Sequence, residues 1–297
     1  MSAAKNGDRV GEATIRRFID RERDLIVARG DFGPLFAAYL DHARRWDAEP
    51  DPLSQTFMRQ GLGAAALQLA SRPKGESIGW TIQIHEPPTN VFLTGESSDA
   101  IVTGRVFTRN VRPADRSRMY VQSTRVGGRT SGSTIEVFGL DILEMFEQYY
   151  RLSEQAPARF LEIDDESFLM LRGLPDVDHG WLAGLSREEA IGLAEDELHA
   201  LGETKYRFQC GCNPARMMEV VQKMFREEPS ELFRGDSGVE ISCPRCGRRW
   251  WIDKAAFDAA GGASGSSGPN EPNEPGEPDE PRGPRGPSEL EGGPPAR

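Results

Sequence analysis

The sequence has 297 residues, of which 28% are charged, and a formal net charge of −11 at pH 7. This negative charge argues against non-specific binding to nucleic acid or to an anionic membrane surface. No apolar run approaches the roughly 18 residues of a membrane span, and the first residues lack the apolar core of a secretory signal peptide, so we expect a cytoplasmic protein with no membrane partner.

The first predicted elements are a hairpin and two helices. Residues 1–13 are expected to be a disordered start. Apolar residues alternate loosely over 16–29, which predicts an edge strand or a hairpin. Pro34 stands at a favoured first-turn position for a helix, and Ser54 is a candidate N-cap for a second helix.

A series of short β-branched or aromatic segments follows, each bounded by turn residues. These segments predict an antiparallel sheet of strands at 80–84, 90–94, 100–108 and 119–123. The Gly- and Ser-rich segment 127–132 is predicted to be a loop, and Asp141 with Glu144 predicts the start of a third helix. A closing hairpin is predicted over 159–172. Residues 14–185 are therefore predicted to form an α+β core domain, an antiparallel sheet with packed helices.

Residues 186–204 differ in character from the core. Ser186 and Glu189 match a capping box, and a narrow apolar stripe and an acidic face follow at helical spacing. We predict an acidic helical linker that is stable only while both of its neighbours hold it.

The four cysteines of the chain all lie in the predicted C-terminal domain, residues 205–258. Cys210 and Cys212 form a Cys-x-Cys pair, and thirty residues later Cys243 and Cys246 form a Cys-x-x-Cys pair. Paired thiols of this kind predict a tetrahedral metal site, and four soft sulfur ligands favour one Zn²⁺. A domain of this size buries little apolar surface, so the metal is expected to supply much of its stability.

The cysteine spacing leaves two uses of the site open. A permanently closed, purely structural zinc site is typical of four thiolates. The Cys-x-Cys pair would form a strained, easily reduced disulfide, which favours a redox switch as well as a structural clip.

Residues 259–297 are predicted to be a disordered tail. Proline recurs at every third position from Pro269 to Pro287, which matches the three-residue period of polyproline II. We interpret this segment as a solvated spacer.

The cysteine pattern is similar to that of the 33 kDa chaperonin family, the redox-regulated heat-shock holdases. Three further segments resemble that family: 150–157 (YRLSEQAP), 168–175 (FLMLRGLP) and the opening strand and helix over 20–40.

The resemblance implies a redox-regulated, ATP-independent chaperone. Members of the family hold zinc through all four thiolates when they are reduced, and they are then inactive. By analogy, oxidation would join Cys210 to Cys212 and Cys243 to Cys246 as disulfides, zinc would be released, and the zinc domain and linker would unfold. The exposed apolar surface would then bind unfolding client proteins, often in a homodimer.

A zinc-ribbon nucleic-acid binder with a constitutive structural zinc is the alternative. Arg245, Arg248 and Arg249 beside Trp250 and Trp251 offer positive charge and stacking faces. Against this, residues 205–258 contain ten Lys or Arg and eight Asp or Glu, whereas a phosphate-binding module is usually clearly basic.

An enzyme is not expected from this sequence. The four histidines, His42, His85, His179 and His199, are scattered along the chain and none is near a cysteine in sequence. We interpret each of them as a surface histidine or a satisfied core histidine.

Overall fold

The computed structural model describes residues 11–46, 49–193 and 198–263. Its strands are β1 (Glu12–Asp20), β2 (Leu25–Asp31), β3 (Glu76–Ile84), β4 (Thr89–Glu96), β5 (Ile101–Phe107), β6 (Arg118–Arg125), β7 (Thr130–Glu136), β8 (Ala158–Glu162), β9 (Ser167–Gly173), β10 (His199–Phe208), β11 (Gly238–Ser242) and β12 (Arg249–Asp253). Ten of them form one sheet in the order β7-β6-β3-β4-β5-β10-β1-β2-β9-β8, and β11 and β12 form a separate hairpin.

The helices are α1 (Gly33–Arg45), α2 (Pro52–Ala70), α3 (Ile142–Tyr149), α4 (His179–Gly184), α5 (Arg187–Ile191), α6 (Pro214–Met224), α7 (Pro229–Phe233) and α8 (Lys254–Ala263). A single π-helical turn, Tyr150–Glu154, follows α3. The fold is therefore α+β, with a large sheet, several packed helices and a small C-terminal unit that carries the cysteines.

Two apolar clusters lie on opposite faces of the strands β1, β2, β9 and β8. The main core packs one face against α1, α2 and α3, and the second cluster packs the other face against α4 and α5. Strand alternation explains the division, since successive side chains point to opposite faces: Phe168 and Met170 enter the main core, whereas Leu169 and Leu171 enter the second cluster.

The helix α2 runs through the main core and is apolar on most of its circumference, as expected for a helix without a solvent face. Gly61 and Gly63 allow this close packing, because a Cβ atom at Gly61 would lie 2.9 Å from Leu93 and one at Gly63 would lie 3.0 Å from Phe168. The predicted N-cap Ser54 is wrong. The cap is Asp51, whose carboxylate accepts the Ser54 amide at 2.9 Å.

The predicted hairpins, the four central strands and the third helix are confirmed, with Asp141 as the N-cap of α3. The loop predicted over 127–132 is wrong in its second half, because Thr130–Glu136 forms the edge strand β7. Ile135 is the one buried side chain of β7, so its sequence carries almost no apolar alternation.

The helical linker predicted over 186–204 is confirmed only at its start. The Ser186–Glu189 capping box is present and opens the short helix α5. From His199 onward the prediction is wrong, because His199–Phe208 is the strand β10. Backbone pairing with β1 overrides the weak helical stripe of this segment, and Leu201 remains 45% exposed.

The strand β10 also changes two further predictions. It pairs with β5 in parallel, so the sheet is not wholly antiparallel. Because β10 lies in the large sheet, the residues from 205 to 208 pack with the core rather than with the cysteine unit, where the predicted domain 205–258 placed them.

Both predicted disordered ends overlap described elements at their inner boundaries, and residues 1–10 and 264–297 lie outside the described residues. The strand β1 begins at Glu12, and Ala13 is fully buried, so the predicted start 1–13 overlaps the core. The helix α8 continues to Ala263, past the predicted tail boundary at 259. The remainder of the proline-rich segment lies outside the described residues.

Among the described residues, no helix has the length and apolar character needed to cross a membrane.

A buried ionic network fixes the π-helical turn to the sheet. The guanidinium of Arg72 bonds Glu76 at 3.2 Å and also bonds Glu154, which accepts the hydroxyl of Tyr149. Burial alone would raise the pKa of Glu154, but the hydrogen bond from Tyr149 and the charge of Arg72 lower it below its usual range. Glu154 is therefore ionised in the folded protein, where it compensates a guanidinium that is only 12% exposed.

We expect Glu154→Gln to lower the free energy of unfolding by about 2–3 kcal/mol at pH 7, because it leaves Arg72 partly uncompensated. The folded-state pKa of Glu154 is depressed, so its contribution is complete above the unfolded pKa of about 4.3 and is lost as the pH falls through the folded value. The free energy of unfolding, measured with urea at several pH values across this range, should change less with pH for Glu154→Gln than for the wild type. Glu22→Gln, at an exposed position, is the control. If the free energy of unfolding had the same pH dependence in both variants, the proposed role of Glu154 would be contradicted.

Candidate metal centre

The four cysteines lie at the ends of two structural elements. Cys210 and Cys212 follow β10 and precede α6, which is capped by the side chain of Asn213. Cys243 and Cys246 lie in the turn that joins β11 to β12. That turn is closed by the amide of Cys243, which donates to Arg248 O at 2.8 Å, and Gly247 supplies a left-handed backbone angle, φ +80°.

The four sulfur atoms form a compact cluster. All of them lie within 4.8 Å of one another, and the sulfurs of Cys210 and Cys243 are 3.9 Å apart. Those of Cys212 and Cys246 are 3.6 Å apart. Four thiolates at about 2.3 Å from one tetrahedral ion would be separated by about 3.8 Å, so the cysteines are positioned to bind one metal ion.

The electrostatics of the cluster also fit a cation. Hydrogen bonds from Cys210 and Cys246 lower the pKa of the Cys243 thiol well below its usual range. The bond to Cys243 raises the pKa of Cys210, and the bonds to Cys210 and Cys243 raise that of Cys246. Sulfurs this close resist carrying more than one negative charge between them. A divalent cation would remove this restriction and allow all four to ionise.

The two cysteine pairs differ in burial. Cys243 and Cys246 are buried, whereas Cys210 and Cys212 are half-buried. Five side chains complete the small core around them: Met217, Val221, Phe233, Ile252 and Phe257. Since this core is so small, the sulfur cluster forms a large part of it.

The cysteine unit is attached to the core through helix α1. His42 Nε2 lies 2.9 Å from the carbonyl oxygen of Cys246. Burial lowers the pKa of His42, so the neutral ring donates its Nε2 proton to that carbonyl. Phe208, the last residue of β10, packs against the rings of Tyr39 and His42.

Arg248 makes a second connection to α1. Its guanidinium lies 5.6 Å from the centre of the Trp46 ring and 5.4 Å from that of Trp250. Arg248 and Trp250 are therefore used in an internal stack. Of the cluster proposed for nucleic-acid binding, Arg245 and Trp251 remain exposed.

Sequence reasoning identified the four cysteines that the structure brings together but missed the residues that hold the unit in place. His42 is more than two hundred positions from Cys246, and its sequence neighbours give no sign of the contact. The position of Trp46 at the end of an amphipathic helix was the one available signal, since a large aromatic there has to pack against something.

Comparisons with known proteins agree with this architecture. The family model described as Hsp33 protein matches residues 162–253, which include all four cysteines. A 33 kDa chaperonin from Pseudomonas syringae is 27% identical over 278 residues, covering 80% of this chain and 90% of that protein. Another, from Serratia proteamaculans, is 28% identical over 162 residues, covering 45% of this chain and 54% of that protein.

The fold has a counterpart among solved structures. The crystal structure of the 33 kDa chaperonin from Thermotoga maritima matches with a TM-score of 0.63 at 14% identity, covering 84% of this chain and 98% of that chain. The large mixed sheet with an attached four-thiol unit thus has the architecture of that protein class. The chain is therefore similar to the 33 kDa chaperonin family in its cysteine-bearing segment and in its fold.

Arg248→Ala should loosen the cysteine unit from α1. Loss of the cation–π contact with Trp46, worth about 0.5–1 kcal/mol, should speed amide exchange at the end of α1 by roughly two- to fivefold. Hydrogen exchange over residues 39–46 measures this effect. Arg245→Ala, in the same turn but exposed, is the matched control, and equal exchange in the two variants would contradict the docking role.

Proposed function

We propose that this protein is a redox-regulated, ATP-independent holdase chaperone of the cytoplasm and that it has no enzymatic activity. In the reduced state it holds one Zn²⁺ and is inactive. After oxidation it binds unfolding client proteins. The observation that carries the proposal is a four-sulfur cluster attached, through one strand, to a short helical segment that covers an apolar sheet face.

Cys210, Cys212, Cys243 and Cys246 would hold the zinc. The donor set supports this assignment, because four soft sulfurs suit Zn²⁺ and its charge would allow all of them to ionise. When bound, the ion would supply folding free energy to a unit with a very small core.

Oxidation would remove this ligand set. Joining Cys210 to Cys212 forms one S–S bond, and the two electrons lost by the sulfurs reduce one molecule of hydrogen peroxide to two of water, with two protons taken up for two thiolates. Joining Cys243 to Cys246 consumes a second peroxide in the same way. Sulfurs in a disulfide no longer act as thiolate ligands, so the unit loses both its ion and its stability.

The client surface would be the apolar face now covered by α4 and α5. On the sheet side it consists of Phe18, Leu25, Val27, Leu161, Leu169 and Leu171. The cover contributes Val177, Leu182, Leu185 and Ala190. Because α4 and α5 span only six and five residues, they are too short to be stable without this contact. Their detachment would expose a continuous apolar surface suited to non-native chains, and the same surface would support a homodimer.

The alternative, a nucleic-acid binder with a constitutive zinc, has less support because Arg248 and Trp250 are engaged with each other and with Trp46.

Peroxide treatment of the reduced protein should release one equivalent of zinc, measured with a metal-binding dye. Suppression of client aggregation should appear only after that treatment. Cys212→Ser should bind zinc more weakly and should suppress aggregation without peroxide, because one ligand is missing. Zinc that stays bound after peroxide, or equal activity before and after, would refute the switch.

Leu182→Asp tests the covering role of α4. Leu182 is 1% exposed, and an unpaired buried carboxylate should cost about 3 kcal/mol or more, which should detach the cover. The reduced variant should then suppress client aggregation without losing zinc. Val220→Asp is the control, since Val220 is 45% exposed on α6 and the same change there should have no effect. An inactive reduced Leu182→Asp variant that remains folded would place the client surface elsewhere.

A further inference from the structure

The strand β10 bridges two halves of the large sheet. On one side it pairs antiparallel with β1 through eight residue pairs. On the other it pairs parallel with β5 through only two, Arg207 with Ile101 and Phe208 with Val102. Without β10, the ten-stranded sheet would separate into a five-stranded part ending at β5 and a four-stranded part ending at β1.

Backbone hydrogen bonds, rather than side-chain burial, hold β10 in place. Tyr206 is the one buried side chain among its ten residues, and most of the others are exposed. The neighbouring β1, by contrast, buries Ala13, Ile15 and Phe18. Since local opening is easiest where few apolar contacts are lost, β10 should open more readily than β1.

The sulfur cluster fixes the C-terminal end of β10. Gln209 alone separates Phe208, the last residue of the strand, from Cys210. At its other end β10 follows the cover formed by α4 and α5. Release of the cysteine unit therefore frees one end of a strand whose other side-chain anchors are Tyr206 and Phe208.

We propose that β10 withdraws when the cysteine unit is released, and that the opened slot beside β1 then binds an extended segment of a non-native polypeptide through backbone hydrogen bonds. This inference rests on the proposed function, because it assigns a recognition mode to the client protein. The exposed edge of a strand is a general template for an added strand.

The contacts that β10 makes beside β1 indicate which residues a bound segment needs. Apolar or aromatic side chains are needed at the positions of Tyr206 and Phe208, which pack against the main core, and the remaining positions are exposed or half-buried and accept many residue types. Free amide groups are needed at alternate positions, which excludes proline there. Unfolding proteins offer many such segments, whereas folded proteins already pair their strands.

The amide directions along β10 allow a sharp test. The amides of Arg207 and Gln209 donate to Ala100 O at 3.1 Å and Val102 O at 3.0 Å, on the β5 side. Alternation along the strand directs the amides of Thr204 and Tyr206 toward β1. The amides of Glu203 and Lys205 point away from β1, at positions where β5 does not pair with β10.

The probe is a labelled peptide with the sequence of residues 200–208, and the protein is the full reduced, zinc-loaded chain. Thr204→Pro removes an amide that faces β1 and should open the slot, whereas Thr204→Ala retains that amide and is the control. The peptide should bind the Thr204→Pro variant with one-to-one stoichiometry. It should bind the Thr204→Ala variant at least tenfold more weakly. N-methylation of the peptide at the positions of Thr204 and Tyr206 should weaken binding by about tenfold or more, since each lost bond contributes up to about 1.5 kcal/mol. N-methylation at the positions of Glu203 and Lys205 should change binding by less than about twofold, because these amides make no bond to β1.

Oxidised wild-type protein gives the second measurement, which does not depend on the folding of Thr204→Pro. It should discriminate between the two methylated peptides in the same way, and hydrogen exchange over residues 12–19 should rise on oxidation and fall again when a client binds. Equal binding of both methylated peptides, or unchanged exchange over 12–19, would overturn the strand-addition proposal even if oxidised protein suppresses aggregation. Conversely, suppose that the Thr204→Pro variant distinguishes the two methylated peptides while peroxide-treated wild-type protein fails to suppress aggregation. That result would refute the redox function and support the slot beside β1.

Discussion

The close packing of four cysteine sulfurs is the constraint on which the C-terminal part of this protein depends. The cluster brings four thiols within 4.8 Å of one another, a spacing at which sulfurs do not all ionise unless a cation compensates them. The surrounding apolar side chains are too few to hold the unit together by burial alone. The sulfur cluster is therefore a large part of the packing that holds this unit together.

Contacts and chain connections join the cysteine unit to the core domain. His42 and Trp46, at the end of α1, contact the turn that carries Cys246. The cover formed by α4 and α5, the strand β10 and the first cysteine pair follow one another along the chain between His179 and Cys212. The sulfur cluster is therefore joined to β10 directly through the covalent backbone, and to the cover through β10.

The sequence predicted the parts of the fold that depend on local signals. Proline at Pro34 and the capping groups of Asp141 and Ser186 marked real helix starts, and the cysteine spacing alone identified the sulfur cluster. The elements and contacts that the sequence did not predict depend on distant parts of the chain. The strands β7 and β10 have few buried side chains, so they lack apolar alternation and exist because a neighbouring strand pairs with them. The contact between His42 and Cys246 joins distant parts of the chain, and no local pattern specifies it.

The same near-absence of buried side chains in β10 bears on the rate and the denaturant sensitivity of opening. Denaturant sensitivity scales with the surface that a transition exposes, and detaching a strand with one buried ring, Tyr206, and one half-buried ring, Phe208, exposes little. Opening of β10 should therefore depend only weakly on urea, unlike unfolding of the main core. A step of this kind does not wait for the core to melt, so the time taken to respond would be set by the reaction of the thiols.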